Sequence, residues 1–325
     1  MIRRGSYGAG ARIGWLEWLP WVAALAVFIV LPEYLPLGAR VLVYILFALS
    51  LDLIIGYAGI ITLGHSAFFG LGAYVAGILG AKLGITDPLL QMAAAAAAAA
   101  LLGVVTGTVI LRTKGLTLLM LTLAITTILL EVANKATDVT GGADGLSGIV
   151  VAPIFGQFRF DMFGKTAYLY CLLVLFAGWW ITRRIVYSPF GTSLVGIREN
   201  AVRMHAVGAP VYYRLVAIYT ISATMAGCAG ALLTQTNQFV GLNVLSFEFA
   251  GELLVMLVLG GVGRIYGAFV GPLAYMIAQD QLAKQFPEYW YFGIGLLLVA
   301  VVLFARGGLL GILDLAVEKI RGARR

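Results

Sequence analysis

Long apolar runs and short polar interruptions alternate along the whole chain. The runs lie near residues 16–34, 38–56, 61–81, 89–111, 115–134, 166–187, 213–236, 248–262, 266–284 and 289–306. A helix needs about 20 apolar residues to cross the hydrocarbon core of a bilayer, whereas a transmembrane barrel would show shorter, strictly alternating segments. The pattern therefore predicts an all-α polytopic membrane protein with about ten transmembrane helices. The third and eighth runs are short or interrupted by glycine, which makes them candidates for re-entrant segments.

Two connections are longer than the rest. The first, about 135–165, contains "TDVTGGADGLSGI", whose glycines and aspartates suit turns. The second, about 187–212, opens with "SPFG" and continues "TSLVGIRENAVRMHAVGAP". Within it Leu194, Val195, Ile197, Val202 and Val207 alternate with Arg198, Glu199, Asn200 and Arg203. That spacing predicts a short amphipathic helix over Thr192–Val207, ended by Gly208 and Pro210.

Composition agrees with the pattern. The chain has 325 residues, 61% of them hydrophobic and 11% charged, and its mean hydropathy is +0.97. A soluble domain carries about a quarter charged residues, so this surface is made for lipid. The net charge of +7 matters through its distribution. Lysine and arginine gather in an N-terminal arm, residues 1–15 (Arg3, Arg4, Arg12), at Arg112 and Lys114, between Arg183 and Arg214, and in a tail, residues 307–325, with Arg306 at its edge. Cytoplasmic loops carry the Lys/Arg excess. With ten spans over 16–306, all four clusters and both termini fall inside, and the 135–165 loop falls outside. No single basic face joins the clusters, which argues against a nucleic-acid partner. The first run follows basic residues as in a signal peptide, but no small-residue cleavage site follows, so it reads as a retained helix. Cys171 and Cys228 lie in apolar runs without metal or disulfide spacing.

Small residues recur at helix-contact spacing: Gly72, Ala76 and Gly80, then the alanine run 93–100 leading to Gly103 and Gly107. "SAFFGLGAYVAG" (66–77) is similar in register to "GAFVGPLAYMIA" (267–278). Each follows a G-x-x-G, at Gly56/Gly59 and Gly260/Gly263. An internal repeat and coincidence among glycine-rich helices both fit.

Candidates for chemistry are few. Gly164-Lys165-Thr166 ends like a phosphate loop, but Arg159 stands where the first glycine is required. Glu248 and Glu252 lie one helical turn apart, and Asp52 and Glu131 sit near membrane depth, where ionisable groups are costly. In "GYAGIITLGHSAFFGLGAY" (56–74) the glycines weaken the helix. There His65 either lines a solute path or buttresses a helix start beside Ser66. No catalytic or metal-binding set emerges.

That same stretch resembles the signature of the branched-chain amino acid ABC-importer permeases, the LivM-type membrane subunits. Leu63, Gly64, His65, Phe68, Gly72, Ala73 and Tyr74 match, with Thr62 where serine is usual. "GLTLLMLTLAITTIL" with "TGGADGLSGI", "SPFGTSLVGIREN…GAPV" and "ELLVMLVLGGVGRIYGAFVGP" resemble further family blocks in the same order. The resemblance implies a permease subunit of an ATP-driven importer in a bacterial-type inner membrane, with no cofactor of its own, since ATP would be used by its partners. Those partners would be a second, LivH-like permease, two cytoplasmic ATPases and an extracytoplasmic solute-binding protein. It implies ATPase coupling through Leu194, Ile197, Arg198, Glu199, Val202, Arg203 and Gly208. Path candidates are Thr62, Gly64, His65, Ser66, Thr122 and Thr126. Arg203 and Met204 depart from the alanine pair usual in the coupling segment. Related permeases carry urea, short amides or other amino acids. From the residues alone, a stand-alone carrier or channel is the competing class.

Overall fold

The computed structural model describes residues 15–154, 156, 158, 164–289, 292–296, 299 and 307–311. Within them the chain is a bundle of helices: α1 (Leu19–Val30), α2 (Leu35–Asp52), α3 (His65–Ala81), α4 (Pro88–Ile110), α5 (Leu116–Lys135), a single turn α6 (Thr137–Thr140), α7 (Lys165–Val186), α8 (Pro189–Ala206), α9 (Val211–Asn237), α10 (Phe247–Gly260) and α11 (Gly267–Gln285). Nine of the ten expected spans coincide with α1 to α5, α7 and α9 to α11. The tenth, 289–306, lies mostly outside the described residues, as do the basic arm and tail. Five helical stretches are both long and apolar enough to cross a bilayer, while α1 and α3 are shorter.

Local chemistry sets several boundaries. Asp87 caps α4 by accepting from the Leu89 N–H at 2.9 Å, and Pro88 follows at the first helical position. Ser246 caps α10 through the Phe249 N–H at 3.1 Å. The "SPFG" stretch starts a helix: Ser188 accepts from the Gly191 N–H at 3.2 Å, so α8 begins at Pro189, three residues before the expected Thr192.

The bundle is built around α2, whose apolar window is 94% buried. Phe47, Leu49 and Leu53 have no exposed surface there, and Phe47 packs on Phe69 and Phe249 at ring separations of 4.4 and 5.6 Å. Small residues bring α3, α4 and α9 close together. A side chain at Gly72 would meet the Gly227 backbone, and one at Gly230 would meet the Phe69 carbonyl. Without a hydrophobic difference between lipid and protein, this close packing is what holds such helices together. By contrast only 22% of the α5 window is buried, which leaves most of its surface for lipid or another subunit.

The ends of the bundle are distinct. Glu17, in the 3-10 turn before α1, pairs with Arg183 at the end of α7. The Arg183 guanidinium donates through Nε at 2.9 Å and Nη2 at 3.2 Å. Arg112 lies over the Tyr212 ring, 6.0 Å from its centroid. The two described basic clusters therefore share one end with α8. At the other end the 135–165 connection folds back through Leu146, which exchanges two backbone hydrogen bonds with Val240.

Candidate functional site

The Gly56–Tyr74 stretch is not one continuous helix. After Asp52 the backbone widens into a π-helical turn, Leu53–Ala58, and Gly59 closes it at φ 74°. Irregular backbone follows to Gly64, and α3 begins at His65. The second G-x-x-G does the same work. α10 ends at Gly260, Gly261 and Gly263 take φ of 113° and 77°, and α11 starts at Gly267. Both G-x-x-G segments thus turn from one helix into the next at the same end of the bundle, the end that carries α8.

These two turns touch. Asp52 is buried, and its Oδ1 accepts from the Gly263 N–H at 2.7 Å. A side chain at Gly56 would collide with the Asp52 carboxylate and with the Gly263 backbone. The Arg198 guanidinium of α8 donates to the Gly56 carbonyl, and its aliphatic stem covers Gly59. A buried carboxylate needs hydrogen bonds to compensate it, and the Gly263 N–H supplies one to Asp52. Arg198 thus joins α8 to the point where the two G-x-x-G turns meet.

α8 itself is bent. Asn200 has φ −159° and ψ 97°, which divides the helix, and its Oδ1 accepts from the Arg203 N–H at 2.9 Å as the cap of a second short helix. The bend separates the apolar residues that periodicity places on one face. Leu194 and Ile197 pack into this chain's own core, whereas Val202 and Val207 are 77% and 78% exposed. Met204 folds back over Gly196, where any side chain would overlap its sulfur. Glu199 and Arg203 are exposed, as is Gly208, which takes φ 86° and releases the chain toward α9.

The remaining candidates gather at the broken stretch before α3, against α5. Thr62, His65, Ser66, Thr122 and Thr126 are all buried. Thr62 Oγ1 accepts from the Gly64 N–H at 3.1 Å, and Thr126 donates to the Thr122 carbonyl at 3.2 Å. A side chain at Gly64 would strike that Thr122 carbonyl. His65 ties α3 to α2. Ser50 Oγ donates to the Phe47 carbonyl at 2.6 Å, which assigns the proton of the 2.8 Å contact to His65 Nε2. The ring stacks on Phe47 with 5.5 Å between centroids, and Ser222 donates to the Ser50 carbonyl from α9.

Of the other ionisable candidates, Glu131 is an exposed partner of Lys135 at 3.3 Å, Glu248 is exposed and Glu252 is half-buried. The Glu17–Arg183 pair and the meeting of Gly56 with Gly263 have no local sequence signal. The equal spacing of the two G-x-x-G stretches was the available hint to the second.

With this geometry in view, comparison with known proteins is decisive. The model of a family described as branched-chain amino acid transport system / permease component matches residues 36–302. The chain belongs to this permease family. It is 27% identical over 300 residues to the high-affinity branched-chain amino acid transport system permease protein LivM of Salmonella typhimurium, covering 84% of this chain and 69% of that one. The LivM protein of Escherichia coli is also 27% identical, over 292 residues, at 83% and 68% coverage. A probable LivM permease of Methanocaldococcus jannaschii is 24% identical over 323 residues, at 82% and 90%. No solved structure matches the chain. The protein is thus a multi-pass membrane permease component and a member of a transport family rather than an enzyme family. The matched region runs through the π turn, the α8 bend and both G-x-x-G turns.

Proposed function

We propose that this permease imports branched-chain amino acids across a bacterial inner membrane, driven by ATP hydrolysis in partner subunits. It would work beside a LivH-like second permease, two cytoplasmic ATPases and an extracytoplasmic solute-binding protein. The observation that carries this reading is α8: a bent helix at one end of the bundle, exposed in its second half and bonded in its first to the junction of the two G-x-x-G turns. ATP binding energy arises in a soluble partner, so it needs a stiff element that reaches the spans. Val202, Val207, Glu199 and Arg203 supply the outer face, and Leu194, Ile197 and Arg198 the anchor. Gly208 lets the chain leave that element. The names of its LivM relatives support the substrate class.

The basic clusters at the α8 end favour a cytoplasmic location for that end, and the Glu17–Arg183 pair brings the start of α1 to the same end. We also infer that Thr62, Gly64, His65, Ser66, Thr122 and Thr126 border the inner half of the solute path, because their bend lies against the sparsely buried α5. Single cysteines at Thr137 and Val202 are expected to label from opposite sides of the membrane. Labelling of both from outside contradicts the orientation.

The reading is tested in proteoliposomes holding the full assembly. Uptake of radiolabelled leucine is expected to require both ATP and the binding protein, and to fall severalfold in the V202S/V207S double variant at unchanged subunit abundance. Leucine uptake driven by an ion gradient without ATP would exclude this reading.

A further inference from the structure

At the end of the bundle opposite α8, the outer halves of α2, α9, α10 and α11 enclose a cavity of about 540 Å³. That size lies within the range of small-molecule sites, roughly 300–1,000 Å³. Its walls are chemically divided. Arg40, from the second turn of α2, lies on one side with the Tyr44 hydroxyl beside its guanidinium. Glu252, from the second turn of α10, lines another and is within electrostatic reach of Arg40. Phe249, Met256 and Met276 form a deeper apolar wall and are themselves buried. Asp280 also faces the cavity, but Lys284 holds it in an ion pair at 2.6 Å. That leaves Arg40 and Glu252 as the pair that a solute would meet.

Ionisable side chains within membrane spans are expensive and face cavities or partners. Here opposite charges on two different helices open onto one space above apolar side chains. A guanidinium recognises a carboxylate with two parallel donors, and a carboxylate accepts from an ammonium. We propose that this cavity is a transient binding site for a zwitterionic α-amino acid with an aliphatic side chain, taking the carboxylate at Arg40, the ammonium at Glu252 and the side chain against Met256 and Met276. The proposal deepens the import reading and rests on it. It also gives the permease a selectivity step of its own, beyond that of a binding protein.

The test uses a rim cysteine as reporter. Asn243 lines the cavity, so Asn243→Cys is introduced after Cys171 and Cys228 are replaced by alanine. Alkylation of the intact assembly by a small maleimide is followed with and without leucine, isocaproate (no ammonium) or isoamylamine (no carboxylate). Leucine is expected to slow alkylation severalfold and the two analogues to leave it unchanged. Arg40→Met and Glu252→Gln, each added to the reporter, are expected to abolish the protection. Absence of protection by leucine, or equal protection by isocaproate, overturns the proposal. Leucine uptake is measured on the same preparation. An assembly that imports leucine with ATP but shows no protection loses this site alone. One that imports no branched-chain amino acid loses the site and the import reading together. Should either charge variant fail to assemble, the analogue series on the chain with both charges intact still decides.

Discussion

Replacing Arg198 with methionine is expected to lower uptake at least about tenfold while the subunit still inserts and assembles. Methionine keeps much of the stem that covers Gly59 but cannot donate to the Gly56 carbonyl. A hydrogen bond to a charged group contributes about 1.5–3 kcal/mol, and about 1.4 kcal/mol is a factor of ten in an equilibrium. Losing that one bond loosens the grip of α8 on the junction of the two G-x-x-G turns by about ten- to a hundredfold. ATP hydrolysis should continue, because the Val202 and Val207 face is untouched, so the ratio of ATP consumed to leucine imported rises. Arg198→Lys, which restores a donor with a different reach, should recover part of the coupling. Unchanged stoichiometry in Arg198→Met would show that force enters the bundle elsewhere.

The largest loss of stability is expected at Gly230. A side chain there would fall on the Phe69 carbonyl of α3, which belongs to rigid helical backbone. Gly72 meets Gly227 about one turn away on the same pair of helices, so α3 cannot tilt aside without opening that approach too. Overpacking typically costs about 1–3 kcal/mol and sometimes more. Against backbone the upper end applies, and Gly230→Leu should lose about 3 kcal/mol. The checks are the thermal transition of the purified subunit and its abundance in membranes. Gly251→Leu is the matched control, since it adds the same atoms to a helix where nothing lies within 4 Å. Equal behaviour of the two would mean that α3 and α9 are not held by close backbone contact.

The helices themselves were legible because lipid imposes one simple rule: spanning segments must be long and apolar and must satisfy their own backbone. The broken stretch before α3 was legible for a related reason, since glycine density marks where helix geometry is given up. What could not be read was which distant segments meet. Gly56 and Gly263 are separated by most of the bundle in sequence, and contact between two glycines leaves no pattern in either neighbourhood. The α8 face shows a subtler limit. Periodicity assumes an unbroken helix, and Asn200 breaks this one. The residues counted together on one stripe therefore serve two surfaces, Leu194 and Ile197 inward and Val202 and Val207 outward. Arg40 and Glu252 lie in separate apolar runs, so only the folded bundle shows that they share a space.

The seating of α1 bears on how the chain is built at the ribosome. Its polar and aromatic anchors on α7 and α11 are made much later than it is. Glu17 pairs with Arg183, Trp21 packs edge-on against Phe176, Trp179 and Phe269, and the Tyr168 hydroxyl donates to the Ala24 carbonyl at 2.8 Å. During synthesis α1 enters the bilayer before the surfaces of α7 and α11 that hold it in the folded chain exist, while α2 to α5 are threaded beside it. Its carboxylate must wait at the water interface until the translocon releases α7. Order of birth and order of docking are therefore reversed for this helix, and truncated chains ending before α7 should leave it adrift in lipid, open to quality-control proteases that ignore the finished bundle.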